Sequence, residues 1–319
     1  MSDSVASLPD LRVEASEVAG LPAYVLHDTA SDLHSTWVPA AGMLGASLVH
    51  AGEELLWQGE GVGAYARART FMGIPFLHPW ANRLAGFGYR VAGRSVSLDP
   101  ASPLLLQDDH GLPIHGVLTG RAWSVAELGA DANRARLVAT LDFDGPELLT
   151  AFPFPHRLRM EIQLGGGMLE VGVTVTPTGE DPVPISFGFH PYLQIPRVPR
   201  SQWEVDFPVE RHLLMDSQQI PTGETETVAA ISGAIGDRHW DDGYDRLRGR
   251  RFALRGGGRT IAVEFTEGYR VAQIFVPPGQ EYICVEPMTA APNALDGPDD
   301  ALRWATPGRP YSASFRIVT

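Results

Sequence analysis

The sequence contains no lysine, so all 25 of its basic side chains are arginines. This absence excludes a Schiff-base enzyme, an anchored pyridoxal phosphate and a Walker-type nucleotide site, because each of these needs a lysine amine. Cys284 is the single cysteine, which excludes an internal disulfide and a zinc site made of several thiolates. A chain without disulfides is typical of a reducing compartment.

Positive charge is scarce too. The 38 acidic residues outnumber the basic ones and give the 319-residue chain a net charge of −13. The arginines are scattered along the sequence, which argues against sequence-independent binding of nucleic acid. No uncharged run is long enough to cross a membrane, and residues 1–9 lack the basic start and apolar run of a signal peptide. We therefore expect a soluble, cytoplasmic protein that binds neither nucleic acid nor membranes.

Long helical patterns are missing as well. The 34 glycines and 26 prolines exceed their usual share of a soluble chain and indicate many turns. Apolar and polar residues alternate over 157–164 and again over 169–176, which is the period of a half-buried strand. The three glycines at 165–167 between the two runs predict a β-hairpin with one apolar face.

The same alternation recurs over 134–143, 183–190, 260–265 and 282–286. Pro146–Ala151 is the one candidate for a helical turn. These patterns predict an all-β fold, a sandwich or barrel of short strands joined by Gly/Pro turns. Neither a linker nor an internal repeat divides the sequence, so we expect a single domain over residues 1–319, with its core roughly within 20–318.

Asn82 and Arg83 follow a run whose backbone is fixed by Pro75 and Pro79. A side-chain amide next to a guanidinium is suited to recognising neighbouring hydroxyls or a ring oxygen, because the donors of both groups have fixed geometry. The structural alternative is that Arg83 caps a carbonyl or makes an ordinary ion pair.

Two His-Gly pairs, His110-Gly111 and His115-Gly116, lie five residues apart. A glycine after each histidine lets a ligand approach the backbone, although a lone histidine is more often structural. A metal site needs further ligands at suitable spacing, and the sequence offers no such set around these histidines. We therefore predict no bound metal, and the pattern assigns no role to His78 or His110.

His190 is a candidate general acid or base. Alternation within 183–190 places its side chain on the same face as Ser186 and Gly188, which leaves space in front of the ring. The usual pKa of histidine lies close to neutral pH and suits proton transfer. A purely structural histidine is the alternative.

Glu286 is a carboxylate among apolar neighbours, next to Pro287. Burial there raises the pKa of a carboxyl group toward values useful for a base, and a buried partner of an arginine is the alternative. Asp241 and Asp242 lie among aromatic residues in the segment 240–244. Carboxylates accept hydrogen bonds from sugar hydroxyls and aromatic faces pack on sugar C–H groups, but such residues also form ordinary turns.

Four motifs, taken in their order along the chain, resemble the aldose 1-epimerase (mutarotase) family. The resemblance spans roughly residues 42–317 and depends on the order of the motifs more than on any one of them. The motifs are Pro79-Trp80-Ala81-Asn82-Arg83, His115-Gly116 ahead of Trp123, Gly188-Phe189-His190-Pro191-Tyr192, and Val285-Glu286-Pro287 followed by Pro292-Asn293-Ala294-Leu295.

This resemblance implies an antiparallel β-supersandwich with a sugar site on a concave face. It implies an isomerase that interconverts the α and β anomers of a free aldohexose such as glucose or galactose without a cofactor. Glu286 matches the general base of the family and His190 its general acid. The residues that match substrate-binding positions are Asn82, Arg83, His115 and Asp241, with Asp242 as the other candidate for the last position.

The chain departs from the family pattern at Met288 and Leu193, where aromatic residues are common, and both changes could alter which sugar is accepted. Two other functions stay open at this point. A hexose-6-phosphate 1-epimerase would need an arginine cluster at the mouth of the site, for which Arg67, Arg69 and Arg90 are candidates. A non-catalytic sugar-binding protein would bind the sugar without accelerating its reaction. The sequence fixes neither the preferred sugar nor the oligomeric state.

Overall fold

A computed structural model describes residues 10–319, so the predicted absence of a signal peptide over residues 1–9 falls outside the described residues. Within 10–319 there are two α-helices, α1 Val62–Ala68 and α2 Pro146–Ala151, and single 3-10 turns at Thr29–Ser31, Pro39–Ala41, Arg200–Gln202, Ala294–Asp296 and Asp299–Ala301. Neither α-helix has the length and apolarity that a membrane crossing would require.

Strands account for most of the regular structure. The first fourteen described strands are β1 Leu11–Val18, β2 Leu21–Asp28, β3 Leu33–Val38, β4 Leu44–His50, β5 Glu53–Glu54, β6 Phe76–Leu77, β7 Gly88–Val91, β8 Arg94–Ser97, β9 Leu106–Gln107, β10 Pro113–Ile114, β11 Ser124–Ala130, β12 Ala135–Phe143, β13 His156–Gly165 and β14 Met168–Pro177. The remaining ones are β15 Val183–Ile185, β16 Gly188–Phe189, β17 Tyr192–Leu193, β18 Glu204–Phe207, β19 Val209–Met215, β20 Pro221–Thr227, β21 Ile231–Ala234, β22 Trp240–Leu247, β23 Arg251–Gly256, β24 Arg259–Glu267, β25 Val271–Val276, β26 Ile283–Met288, β27 Arg303–Ala305 and β28 Tyr311–Val318.

Three large sheets organise the described strands, and the pairs within them are antiparallel. One sheet has the order β1-β2-β3-β4-β5, and a second has β11-β12-β13-β14-β28-β24-β23-β18-β21. The third has the order β20-β19-β22-β25-β26-β16-β6, and β17 also pairs with β26. The predicted all-β class is therefore confirmed.

The predicted hairpin is present as β13 and β14, joined at 165–168, with Leu158 opposite Val175 and Ile162 opposite Val171. The predicted helical turn is confirmed as α2. The second helix, α1, was not identified from the sequence; it is only seven residues long and buries Val62 and Tyr65 alone. A helix of under two turns produces no sustained periodic stripe.

The predicted strand 183–190 is interrupted. Its first part, β15, pairs with β27, and its second part, β16, pairs with β26 and β6 of the third sheet. Between them the backbone carbonyl of Ser186 accepts a hydrogen bond from the amide of Ala81, at 2.7 Å. The chain thus changes partners at this point, and the change delivers His190 to the edge of β26.

Strand β26 has neighbours on both sides, β25 along one edge and β16 and β17 along the other. Its side chains alternate between two environments, as a strand requires. Ile283 and Val285 enter the main hydrophobic core between the sheets. Cys284 packs with Tyr192 and Tyr282, and Met288 packs with Leu77 and Val271, on the opposite face. Glu286 lies between Cys284 and Met288, and so on the face away from the main core.

Candidate active site

The centre of the candidate site is a contact between His190 and Glu286. Nε2 of His190 lies 3.2 Å from Oε1 of Glu286. The two side chains are 6% and 2% exposed, so the contact is almost completely shielded from water. The second oxygen of Glu286, Oε2, is buried and has no hydrogen-bond partner within residues 10–319. A carboxylate oxygen without a partner in such a place is available to a hydroxyl brought by a ligand.

Aromatic rings surround the imidazole of His190. Tyr192 stacks on it at 4.5 Å between ring centroids, and Phe275 and Phe71 approach it at 5.9 and 6.2 Å. The position of His190 beside β26 depends on Gly188, because a Cβ at that position would lie 2.8 Å from the carbonyl oxygen of Pro287. The tight pairing of β16 with β26 therefore requires glycine and brings the histidine to the glutamate.

Burial controls the protonation of this pair. It raises the pKa of Glu286 well above its usual value, with a further increase from the nearby Asp241 and an opposing effect of Arg83. Burial also lowers the pKa of His190 to about 3. Both shifts favour the neutral form of the group, since an apolar environment penalises charge. Burial therefore biases both the carboxyl group and the imidazole toward their uncharged forms.

Asn82 and His115 lie side by side next to this pair. The amide of His115 donates to the carbonyl of Asn82 at 2.9 Å, and the imidazole of His115 meets that of His190 edge-on at 5.4 Å between centroids. Both residues have a left-handed backbone, with φ of 57° for Asn82 and 62° for His115. Asparagine tolerates this conformation, whereas histidine adopts it at a cost of about 1 kcal/mol. The Nδ1 atom of His115 is buried and has no partner within residues 10–319.

Arg83 is held on two sides. Its Nε donates to Oδ2 of Asp108 at 2.5 Å, and one Nη lies 3.7 Å from Oδ2 of Asp241. The other oxygen of Asp108 accepts from the backbone amides of His110 and Leu112, both at 2.9 Å. These bonds lower the pKa of Asp108 although burial alone would raise it. Asp108 is thus a fixed anion that orients the guanidinium.

The two neighbouring aspartates of β22 point in different directions. Asp241 accepts a hydrogen bond at 2.7 Å from Nε2 of Gln273, which faces Glu286 across β25 and β26. Asp242 instead lies 3.1 Å from Nε2 of His212. The geometry therefore groups Asp241, rather than Asp242, with Glu286 and Arg83.

Exposure increases across the site. The side chain of Glu286 is 2% exposed, that of Arg83 is 13% exposed and that of Asp241 is 29% exposed. Phe71, which contacts the rings of His115 and His190, is half-buried, and so is Trp57, which contacts Tyr192. The site thus has a dry end that contains the titratable pair and a wetter end that carries an arginine and a carboxylate, which suits a small polar ligand with several hydroxyl groups.

The structure also places the other residues that were considered from the sequence. His78 is buried in the core, with its Nε2 2.8 Å from Nε2 of His156, and His110 is exposed in a turn. Arg67 belongs to α1, Arg90 to β7, and Arg69 donates to the carbonyl of Leu104 at 3.0 Å. No group of three or more His, Cys, Asp or Glu side chains in residues 10–319 is arranged to hold a metal ion.

The sequence did not reveal Gln273 as a residue of the site, nor Asp108 as the residue that anchors Arg83. Gln273 is the one polar residue in the strand Val271–Val276 and is 1% exposed. A single amide in an otherwise apolar strand is a usable signal, because a buried polar group needs a partner. Asp108 gave no comparable signal, since its pairing with Arg83 links two loops that are distant in sequence.

Gly116 controls the position of His115, and its replacement by alanine is expected to unfold or distort this loop. A Cβ at Gly116 would lie 2.1 Å from the carbonyl oxygen of His78, and the residue has φ of +73°. We expect Gly116→Ala to lower the free energy of unfolding by roughly 3 kcal/mol or more, measured by urea denaturation.

Gly111 provides a matched control. It also follows a histidine and has φ of +73°, but a Cβ there meets nothing within 4 Å. Gly111→Ala should therefore incur only the backbone cost of about 1–2 kcal/mol. Equal stability of the two variants would contradict the proposed clash.

Comparison with known proteins agrees with this architecture. The sequence model of the aldose 1-epimerase family matches residues 45–317. A search of curated protein sequences finds no match. The solved structures similar to this chain include a galactose mutarotase-like protein from Clostridium acetobutylicum, with 17% identity, coverage of 97% of this chain and 98% of that chain, and a TM-score of 0.81.

Two further similar structures cover nearly the full length of both chains. The Slr1438 protein from Synechocystis sp. PCC 6803 shares 24% identity over 96% of this chain and 98% of its own, with a TM-score of 0.76. Galactose 1-epimerase from Lactobacillus acidophilus NCFM shares 13% identity over 97% of this chain and 98% of its own, also with a TM-score of 0.76. At these identities the likeness concerns the fold, and it confirms the mutarotase-like β-supersandwich expected from the four motifs.

Proposed function

This chain belongs to the aldose 1-epimerase family, and from that membership and the geometry of its buried acid–base pair we propose that it interconverts the α and β anomers of a free aldohexose. The observation that carries the proposal is the 3.2 Å contact between Nε2 of His190 and Oε1 of Glu286 in a site shielded from water. Anomer interconversion needs one group to remove a proton and another to supply one, and these two groups can do both.

The pair can reach the reactive protonation state without help from solvent. A proton that moves from Glu286 to His190 across their contact converts carboxylic acid and imidazole into carboxylate and imidazolium. The total number of protons does not change. A bound sugar supplies hydroxyl dipoles, and Arg83 supplies positive charge near the carboxylate, so the ion pair is stabilised when the site is occupied.

Ring opening then requires two proton transfers, one to Glu286 and one from His190. The carboxylate of Glu286 takes the proton of the anomeric hydroxyl while the bond between C1 and the ring oxygen breaks. The imidazolium of His190 gives its proton to the ring oxygen, which becomes a hydroxyl group, and C1 becomes an aldehyde. Rotation about the C1–C2 bond exposes the other face of the aldehyde, and reversal of both proton transfers closes the ring as the other anomer.

Burial favours the ring-opened stage of this cycle. When the ring is open, Glu286 is protonated and His190 is neutral, which is the state that the shifted pKa values of both groups favour. The free energy spent in moving the proton from Glu286 to His190 is returned when the ring opens, so the ring-opened stage leaves no charge buried on the pair.

The remaining residues of the site position the sugar in this proposal. Arg83 and Asp241 at the wetter end bind hydroxyl groups, and Asn82 and His115 line the side of the ring. The half-buried faces of Phe71 and Phe275 pack on its C–H surface. Holding the anomeric hydroxyl and the ring oxygen at hydrogen-bond distance from their partners keeps both proton paths short.

Polarimetry of freshly dissolved α-glucose and α-galactose tests the function directly. The wild-type protein should accelerate the approach to the equilibrium rotation of at least one of the two sugars. The increase in rate over buffer alone should be proportional to protein concentration. General acid and general base assistance should contribute about 10²–10⁴-fold each to this increase.

Two other results would redirect the proposal. Acceleration confined to glucose 6-phosphate would identify a hexose-6-phosphate 1-epimerase. Sugar binding in calorimetry without any acceleration would identify a non-catalytic sugar-binding protein on the same fold.

A further inference from the structure

A cavity of about 750 Å³ lies outside the candidate active site, between the end of β24, the start of β25 and the strands β27 and β28. Four arginines line it: Arg250, Arg270, Arg303 and Arg309. None of the residues that line the cavity belongs to the group around His190 and Glu286. Its volume lies within the range usual for small-molecule sites.

No carboxylate of residues 10–319 lies within ion-pair distance of these four arginines. Of the 25 arginines in the chain, 14 lie within 4.0 Å of a carboxylate of residues 10–319. Of the other 11, four line this cavity and two more, Arg246 and Arg248, line an adjoining one of about 340 Å³ that shares Arg250 and Arg270 with it. Arginines that are scattered in the sequence are therefore concentrated in space.

Such a concentration of charge is unexpected in a protein with a net charge of −13. Glu267 is the one acidic residue that lines the larger cavity. Its carboxylate oxygens lie more than 4.0 Å from the guanidinium nitrogens of the four arginines in that cavity. Asp245, in the adjoining cavity, already forms two hydrogen bonds with Arg211, at 2.7 and 2.8 Å. The arginines consequently repel one another with little compensation from the described residues.

Arg270 is fixed at the junction of the two cavities. Its Nε donates to the carbonyl of Thr289 at 3.0 Å, and one Nη donates to the carbonyl of Ala301. Burial lowers the pKa of this half-buried arginine, and the positive charge of Arg303 lowers it further. Backbone carbonyls hold this arginine in place, and a second cation lies close to it. The arginine is therefore preorganised to bind an anion, because its side chain need not rearrange.

We propose that this cavity binds a small phosphorylated molecule. The planar forks of Arg250, Arg270, Arg303 and Arg309 match phosphate oxygens in pairs. Trp304 and Tyr311 are half-buried in the same wall and offer flat apolar surfaces to the organic part of the ligand. The site is separate from the acid–base pair, so the inference does not depend on the proposed epimerase activity.

Calorimetric titration with pyrophosphate tests the site. We expect the wild-type protein to bind pyrophosphate more tightly than inorganic phosphate, and the double variant Arg250→Ala/Arg303→Ala to bind it at least about ten-fold more weakly, because charge-assisted hydrogen bonds are lost. Both side chains are exposed, so the variant should fold, and its thermal unfolding should match that of the wild type.

Arg157→Ala is the matched control. It removes one positive charge, against two in the double variant, from an exposed position on β13 outside either cavity and should leave the affinity for pyrophosphate unchanged. Absence of binding to the wild type, or equal binding to the double variant, would overturn the proposal. Tighter binding of a single-stranded RNA than of pyrophosphate, lost in the same double variant, would assign the arginines to a nucleic acid and would also overturn it.

Titration of glucose 6-phosphate and ATP against the same variants then identifies the organic part of the ligand. The rate of anomer interconversion should be the same in Arg250→Ala/Arg303→Ala as in the wild type. Competition of pyrophosphate with glucose for binding would instead place the anion in the candidate active site and would contradict a separate cavity.

Discussion

Replacement of Glu286 by glutamine should lower kcat for anomer interconversion by about 10²–10⁴-fold, because the amide cannot accept the proton of the anomeric hydroxyl. Glutamine has the same shape as glutamate and keeps one oxygen toward the ligand, so sugar binding should change little. The measurement is polarimetry at saturating sugar, together with calorimetric titration of the same sugar.

The same variant should be more stable than the wild type at neutral and higher pH. The pKa of Glu286 is raised in the folded protein above its usual value of 4.5. The stability that its protonated form contributes is therefore complete below that usual value and is lost as the pH rises toward the folded pKa. Glutamine never ionises, so the gain in melting temperature should grow as the pH increases above about 4.5.

An inactive but more stable variant cannot be explained by misfolding. Glu204→Gln, an exposed change on β18, is the matched control and should alter neither activity nor the pH dependence of stability. Full activity of Glu286→Gln would exclude the carboxylate as the base.

Replacement of His190 by asparagine is expected to lower kcat by a similar factor of about 10²–10⁴. Asparagine can still donate a hydrogen bond, but it cannot transfer a proton to the ring oxygen. Formation of the open-chain aldehyde should slow together with mutarotation. Polarimetry follows the mutarotation, and a trapping reagent follows the aldehyde.

His110→Asn is the corresponding control because His110 is exposed in a turn and contributes only its backbone amide to Asp108. It should retain the wild-type rate. Retained activity in His190→Asn would show that another group protonates the ring oxygen, and His115, whose ring lies next to that of His190, would be the first to test.

The fold was predictable where one local rule dominates. The alternation of apolar and polar residues over 157–176 specifies a hairpin directly, because the side-chain period of a strand is two and only one face is buried. The interruption of the strand 183–190 was not predictable. It depends on the pairing of Ser186 with Ala81 and of Gly188 with β26, which joins segments about 100 residues apart, and no local pattern reports such a contact.

The site was predictable to the same extent. His190 and Glu286 could be selected as candidates because each is a titratable residue in an apolar segment, where burial must affect its pKa. The support of the site was not visible in the sequence. Asp108 anchors Arg83 by a contact between loops, and Gln273 joins Asp241 to the strand opposite Glu286. Whether Asp241 or Asp242 faces the pair depends on how β22 is placed relative to β25, which is fixed by the register of the sheet.

Cys284 gives this protein an internal reporter. It is fully buried on β26, two residues before Glu286, and it is the only thiol in the chain. Burial raises the pKa of the thiol well above its usual value, which makes it unreactive while the strand is paired. A thiol-specific reagent can label the chain only when β26 separates from its neighbouring strands. The labelling rate of the natural protein therefore measures how often the strand that carries Glu286 opens, and no engineered probe is needed.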